Sequence, residues 1–406
     1  MYDWCNKVCN DSRVLRNNMN YHIRQTLLDG KHTNNKELYD IFKHNPEWKC
    51  FGHGQISKNI WKSLNCEWSS FWAALKSYKK DKTKFISEPK YPGYKTRHYK
   101  VSYHVGNNNS PCTYKDGVLK FLGSNKIEYK IGNIIDGEIK EISIIPTNTD
   151  NFNIIINYIK VENCVNLCED RIISMDMGVD NILAVTNNYG NSPFLVKGRH
   201  IKSINQYYNK KLAYLNSKLP QNVRTSKAIK TLTRKRNNKI EAEMHIISNT
   251  IKKYVINNNV GTIIVGKNNG WKQNINIGKK NNQKFVGIPY NKLIFQINYK
   301  LEGISKLIEH EESYTSKASF LDLDFIPTYK ASGDHKQTRF SGRRIKRGLY
   351  KSKSGHLINA DINASYNIMR KVIPKVFDNG IEGVVVHPLT LNRSGTTSIK
   401  AAQISI

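Results

Sequence analysis

Residues 171–190 read RIISMDMGVDNILAVTNNYG, and this stretch decides the architecture. Ile172, Ile173, Met175, Met177 and Val179 form an apolar run that Asp176 alone interrupts, followed by a glycine-containing turn and a second apolar run. Two short apolar runs joined by a turn predict a hairpin whose first strand is buried on both faces. A carboxylate in such a strand is costly unless a cation or hydrogen-bond donors satisfy it. Asp176 therefore either braces the hairpin or binds something.

Downstream, helical spacing covers about Ile201–Leu219 and Val223–Asn257, the second with Leu232, Ile240, Met244, Ile247, Ile251 and Val255 on one stripe. A buried strand, GTIIVG, spans Gly261–Gly266, and a basic Asn-rich loop runs to about Gln283. A helix from Tyr290 to about Tyr299 and a strand ending in EESYTS follow. After a basic irregular segment, Lys330–Gly355, the run NADINASYNIMRKV reads as a strand end turning into a helix. It places a second acid, Asp361, at the head of that helix, where a plain N-terminal cap is the alternative role.

Upstream, Thr33 to about Lys80 has apolar and aromatic residues at helical spacing, including Ile56, Ile60, Leu64, Trp68 and Phe71. From about Tyr99 to Val161 the runs YKVSYH, GVLKFL, KIEYKIG, GEIKEISII and NFNIIINYIKV alternate at period two, which predicts an antiparallel sheet or small barrel. The stretch from Asp378 to Ile406 has no strong periodicity and reads as a mobile tail.

The 406 residues carry 64 Lys plus Arg against 32 Asp plus Glu, a net charge of +32. Such a self-repelling surface fits a polyanionic partner, nucleic acid first, with a solvated Lys-rich surface as the alternative. No apolar run is long enough to span a membrane, and MYDWCNKVCN lacks the features of a signal peptide. A cytoplasmic, nucleoid-associated protein, neither secreted nor membrane-bound, is expected. The seven cysteines, Cys5, Cys9, Cys50, Cys66, Cys112, Cys164 and Cys168, are odd in number and irregularly spaced, which argues against a disulfide framework. His310 and Glu311 do not open a zinc-protease signature, because residue 314 is Tyr, and FGHGQIS lacks the lysine of a phosphate loop.

The order strand aspartate, two long helices, buried strand and aspartate heading a terminal helix resembles a RuvC-like nuclease. More narrowly, ISMDMGVDNILAV, EMHIISNTIKKY with GTIIVG, EESYTSKASFLDLD, FSGRRIKRGLY and NADINASYNI are similar to motifs of the TnpB family, transposon-associated RNA-guided nucleases related to type V CRISPR effectors. KSLNCEWSSFWAALKSY and EPKYPGY are similar to that family's recognition lobe and its junction with the wedge barrel, so the resemblance spans about Gln55–Val372. It implies an α+β multidomain protein: a helical recognition lobe over 1–85, an antiparallel wedge β-barrel over 86–168, a RuvC-like (RNase H-like) α/β nuclease domain over 169–376 and a tail over 377–406. A helical insertion would occupy 200–258 of the nuclease domain and a hairpin 316–357. The chain begins inside what resembles the family's first recognition helix, so the opening wedge strand is expected to be absent or replaced.

The resemblance implies hydrolysis of a DNA phosphodiester with two Mg2+ ions, or Mn2+, about 4 Å apart, held by carboxylate oxygens. Asp176 would bridge both ions and Asp361 would complete one. In most relatives the second motif ends in Glu, but here Gly266 stands in that place. The third carboxylate must then come from Glu311 or Glu312, an arrangement similar to a subset of the family with a relocated Glu. Neighbouring strand residues point to opposite faces, so one of the two reaches the metals; Glu312 is favoured and Glu311 stays open. No cysteine follows Cys168, so the zinc hairpin of many relatives is not expected, and Phe320, Leu321, Phe325 and Ile326 would hold that segment by packing.

The partners implied are a guide RNA from the transposon end and double-stranded target DNA, with no membrane and no small-molecule substrate. By similarity Gln55, Ser57, Asn59 and Lys62 would read a short motif flanking the target. Arg234, Arg236, Lys272, Lys279, Lys280, Arg343, Arg344, Lys346 and Arg347 are candidates for phosphate contacts. Gly266 motivates one alternative, a guide-RNA-dependent DNA-binding repressor that does not cut. A transposase acting directly on DNA has less support, since no Tyr with a His-His pair is evident.

Overall fold

The computed structural model describes residues 1–106, 109–122, 127–132, 137–160, 165, 167–268, 278–328, 339–378, 380, 384–391 and 397–398. The chain is a mixed α+β protein that divides into two compact units, Met1–Glu162 and Asn163–Ile406. No described helix is long and apolar enough to cross a membrane.

In the first unit α1 (Tyr2–Leu28) and α4 (Gly54–Lys80) are joined through the short helices α2 (Asn35–Phe42) and α3 (Pro46–Lys49). α1 buries Cys5, Val8, Cys9, Leu15, Met19 and Ile23, and α4 buries Ile56, Ile60, Leu64, Trp68 and Phe71, the stripe its spacing predicts. The helices are tied by the buried Arg16, which meets Glu67 at 2.5 Å, and by Trp68 Nε1, which donates to Asn20 Oδ1 at 2.9 Å. The strands β1 (Val101–His104), β2 (Cys112–Lys115), β3 (Val118–Phe121), β4 (Ile127–Lys130), β5 (Glu138–Pro146) and β6 (Phe152–Ile159) form two antiparallel three-stranded sheets, β1-β5-β6 and β2-β3-β4. Among the described residues the ladders do not close into one barrel; a single bridge, Val105 to Cys112, links the two sets. One apolar core runs from Cys5 to Ile144, so helices and strands share this unit.

The second unit is built on β7 (Cys168–Asp176), β8 (Asn181–Asn187) and β9 (Phe194–Lys197), then α5 (Arg199–Asn216), α6 (Lys227–Asn257), β10 (Val260–Gly266), α7 (Lys279–Val286), α8 (Tyr290–Lys300) and β11 (Lys306–His310). The short sheet β12 (Arg343–Lys346), β13 (Leu349–Lys351) and β14 (Leu357–Asn359) leads into α9 (Ala360–Val372). The main sheet has the order β11-β10-β7-β8-β9, extended by β15 (Leu389–Leu391) and β16 (Thr397–Ser398). β10 runs parallel to both β7 and β11, whereas β8 is antiparallel to β7 and β9.

Alternation along the strands divides the residues between two cores. Ile173, Met175, Ile263 and Val265 share a core with Met244, Ile251, Leu293 and Ile297 of α6 and α8. Ile172, Ala184 and Ile264 face the other way, onto Ile362, Tyr366, Ile368 and Met369 of α9. Buried polar groups mark the same contact: Ser365 Oγ donates to the carbonyl of Ser174 at 2.9 Å and lies 3.0 Å from Thr186 Oγ1.

Two expectations change here. Part of the stretch read as a mobile tail is packed: Phe377 and Val386 are buried, Tyr366 donates to the carbonyl of Val385 at 3.0 Å, and β15 pairs in parallel with β9 through Leu389 and Phe194. An open strand edge accepts even a three-residue partner. In the hairpin segment Phe320 is buried and stacks on Tyr366 at 4.4 Å, but Phe325 is 78% exposed and contributes no packing. Polar ties act instead: Asp324 accepts from the backbone of Ser319 and Ser341, and Asp322 from Lys353 N and Ser341 Oγ.

Candidate active site

Three carboxylates arrive at one end of the sheet from three separate elements. Asp176 is the last residue of β7 and continues the face of Ile172 and Ser174 that packs on α9. Gly266 ends β10, following the Val265–Met175 pair as Asp176 does. Glu312 lies two residues beyond the end of β11, and Asp361 is the second residue of α9. Asp176, Gly266 and Glu312 stand at the carboxyl ends of parallel strands, where open α/β sheets collect their ligands.

Burial holds the Asp176 carboxyl well above the usual carboxylate range; the charges of Glu312 and Asp361 add to this and Arg344 opposes it. Burial and the neighbouring Glu311 push Glu312 up to about 7, against a smaller opposing effect of Lys371. Its Oε1 accepts from Asn268 Nδ2 at 3.3 Å, while Oε2 is buried with no hydrogen-bond partner. Because the folded pKa of Glu312 lies above its unfolded value, the folded state holds the extra proton between about pH 4.5 and 7, and stability falls as pH rises through that window. Glu312→Gln is expected to flatten this slope in metal-free melts recorded from pH 5 to 8; an unchanged slope would show that Glu312 is not the group responsible.

Gly266 makes the room for that carboxylate. A Cβ there would lie 2.5 Å from Ile368 Cδ1, 2.7 Å from Glu312 Oε2 and 3.2 Å from Glu312 Cβ. The Glu312 side chain thus passes through the space that any side chain at 266 would need.

The neighbouring Glu311 has a different occupation. Its carboxylate pairs with the almost fully buried Lys371 and accepts from Ser313 N at 2.6 Å, while Lys371 also donates to the carbonyl of Ser313 at 3.0 Å. These hydrogen bonds and the lysine charge hold Glu311 below the usual range, outweighing its burial. The two glutamates diverge, but not by strand alternation, because β11 ends at His310.

The cap of α9 is Asn359, whose side chain accepts from Asp361 N at 3.0 Å and Ile362 N at 3.2 Å. Asp361 is therefore released from capping. It accepts from Asn181 Nδ2 at 2.5 Å and lies 3.8 Å from Arg344, and Lys197 in turn donates to Asn181 Oδ1 at 3.0 Å. Among the described residues no three His, Cys, Asp or Glu side chains form a ready-made metal group. The donor set nevertheless suits a hard cation: carboxylate oxygens that repel one another, one of them buried without a partner.

The basic candidates separate into groups. Arg343 and Lys346 are exposed on β12; Arg344 stands beside Asp361, and Arg347, just past β12, pairs with Asp180 in the turn after β7. Arg236 clips α6 to its surroundings, donating to Asn205 Oδ1 at 2.9 Å and the carbonyl of Gly287 at 2.6 Å. Arg234 is half-buried on the same helix. Between α5 and α6 a cavity of about 1020 Å³ is lined by Tyr207, Tyr208, Lys211, Lys235 and Lys239, with Glu243 at its side. Lys272 lies outside the described residues, as do the side chains of Lys279 and Lys280.

In the first unit Lys62 is exposed and Gln55 half-buried, with Nε2 donating to Asn59 Oδ1 at 3.3 Å. Asn59 donates to the carbonyl of Ser102 at 3.1 Å. Ser57 is not at the surface: it is fully buried and donates to the carbonyl of Trp48 at 2.6 Å, which makes it part of the helix packing.

Asn268, Asn181 and Lys371 were not identified from sequence. Each belongs to the site through a partner dozens of residues away, so no local spacing marks it. The one available signal was the run Asn-Ala-Asp at 359–361, in which the asparagine is as good a cap as the aspartate.

Residues 168–272 match the family model OrfB_IS605, described as "Probable transposase". No curated protein matches the chain. Two solved structures are similar at low identity. A cryo-EM structure of the Cas12f1–sgRNA–target DNA complex shares 14% identity over 88% of this chain and 93% of its own, with a TM-score of 0.35. A cryo-EM structure of a CRISPR-Cas12f ternary complex shares 12% over 90% and 80%, also at 0.35. The segment that matches this transposase model begins with β7, carries Asp176 and runs just past Gly266.

Proposed function

We propose that this protein is an RNA-guided DNA endonuclease whose site is Asp176, Glu312 and Asp361 on a RuvC-like sheet. The observation that carries the reading is the fit between Gly266 and Glu312: the strand end lacks a side chain, and a carboxylate from another loop fills the space it leaves. The strand order, with one antiparallel strand beside the strand that carries Asp176, supports an RNase H-like core. The match of residues 168–272 to a transposase family model and a net charge of +32 support nucleic acid as the partner, with a guide RNA and a target DNA as the polyanions to be opposed.

Asp176, Glu312 and Asp361 would hold the divalent ions, Mg2+ or Mn2+. When bound, such ions supply an activated water and charge stabilisation for the leaving oxygen. The protein's own residues supply the rest. Asn181, held by Lys197, orients Asp361. Lys371 occupies Glu311 and keeps it off the centre. Arg344, 48% exposed and next to Asp361, is placed to meet a phosphate at the mouth of the site.

The test is cleavage of a guided plasmid by the full chain with its copurified RNA. Glu312→Ala is expected to lower the rate about 10²- to 10³-fold, the scale of losing one transition-state contact, while Glu311→Ala stays within about tenfold of wild type. Wild-type cutting by Glu312→Ala would refute the assignment, and no Mg2+-dependent cutting by the wild type would favour a binding protein that does not cleave.

A further inference from the structure

Glu312 stands in a loop, and loops hold a functional group less firmly than strands do. One side of its seat is closed by Gly266 and Ile368. The backbone behind it is tied by Thr315, whose Oγ1 donates to the Glu312 carbonyl at 2.8 Å. Neither contact chooses which carboxylate oxygen faces the site.

We propose that Asn268 is the positioning residue that makes this choice, an inference resting on the carboxylate-site reading above. Asn268 lies two residues past Gly266, and its side-chain amide grips Glu312 at two points. Its Oδ1 accepts from Glu312 N at 3.1 Å and its Nδ2 donates to Glu312 Oε1 at 3.3 Å. The orientation of the amide is fixed by this pairing, because the backbone N–H needs an acceptor and the carboxylate needs a donor. With Oε1 tied in this way, Oε2 is the oxygen left buried without a partner, next to Gly266. The end of β10 therefore contributes to the centre twice without providing a ligand. Gly266 gives the space, and Asn268 sets the rotamer. Aspartate at 268 would lose the donor, and alanine or leucine would lose both contacts.

The test is calorimetric titration of the full chain with Mn2+ alone, together with the melting temperature of the metal-free protein. Wild type, Asp176→Ala, Asn268→Ala and Asn268→Leu are compared, the leucine variant keeping the bulk at 268 should alanine fold poorly. Expected is Mn2+ binding by wild type that Asp176→Ala abolishes and that either Asn268 variant weakens about 10- to 100-fold, the usual effect of losing a residue that orients a ligand. The melting temperature of the Asn268 variant should stay within about 4 °C of wild type. Wild-type Mn2+ affinity in a folded Asn268 variant would overturn the positioning role and leave the site standing. No Asp176-dependent Mn2+ binding in wild type would overturn the site itself, and the role of Asn268 with it.

Discussion

Asp176→Asn is expected to abolish cleavage and to make the metal-free protein more stable. The two effects have one origin. Asp176 is a half-buried carboxyl beside two other acids, and its pKa is raised because desolvation and the charges of Glu312 and Asp361 outweigh Arg344 and the hydrogen bond from the Met177 backbone. An uncompensated buried polar or charged group costs roughly 1–3 kcal/mol. Asparagine has nearly the same shape without that charge, so the melting temperature should rise by several degrees. The sign follows from the linkage: a carboxyl raised in the folded state destabilises as pH climbs above its unfolded value, so the gain should be larger at pH 8 than at pH 5. Activity should move the other way, falling about 10³-fold or more, roughly 4 kcal/mol of barrier. Thermal melts at both pH values and guided cleavage on the same preparations check the pair of effects. A variant that is less stable and still cuts would mean that Asp176 merely braces the hairpin. A gain in stability with loss of function is the signature of a residue kept for chemistry.

Gly266→Ala is expected to damage the site more than the fold. The added methyl meets Ile368 Cδ1 at 2.5 Å and Glu312 Oε2 at 2.7 Å, and both are the far ends of flexible side chains that can turn aside. Overpacking of this kind costs about 1–3 kcal/mol. If Glu312 is the group that moves, a displacement of about 1 Å lowers the rate about 10²-fold. Combining Gly266→Ala with Ile368→Val separates the two contributions, because valine removes the clash on the helix side and leaves the clash with Glu312. Stability should partly recover and cleavage should not. Wild-type cleavage by Gly266→Ala would show that the geometry of Glu312 is unimportant.

Much of the second unit was legible because its pattern is dense. The hairpin around Asp176, the two long helices and the buried strand ending in Gly266 all have apolar spacing that admits one reading, and Asp176 stood out as an acid at the end of a buried apolar run. The choice between Glu311 and Glu312 was harder to read. Alternation is a rule for strands, and the strand stops at His310, so the choice rests on Lys371, 60 residues further along the chain. Asn268 was invisible for the same reason, since its partner is 44 residues away. Short strands were the other gap: β2 has four residues and β15 three, too few to show a period. Ser57 failed differently, because a hydroxyl on a helix looks exposed until the neighbouring Trp48 carbonyl is seen to need a donor.

Asp361, Ser365 and Ile368 fall on a single stripe of α9, set respectively against Asn181, Ser174 and Gly266, and Lys371 follows at the far end to clasp Glu311. About 15 Å of helix thus fixes the distance between Asp361 and the lysine that draws Glu311 away from the centre. α9 works as a gauge block. Exchanging its outer residues leaves the gauge intact, but inserting or deleting one residue between Ile362 and Asn367 rotates the two ends by about 100° relative to each other. The phase of this helix, rather than its composition, is the tightest constraint on how the chain can change while keeping its centre assembled.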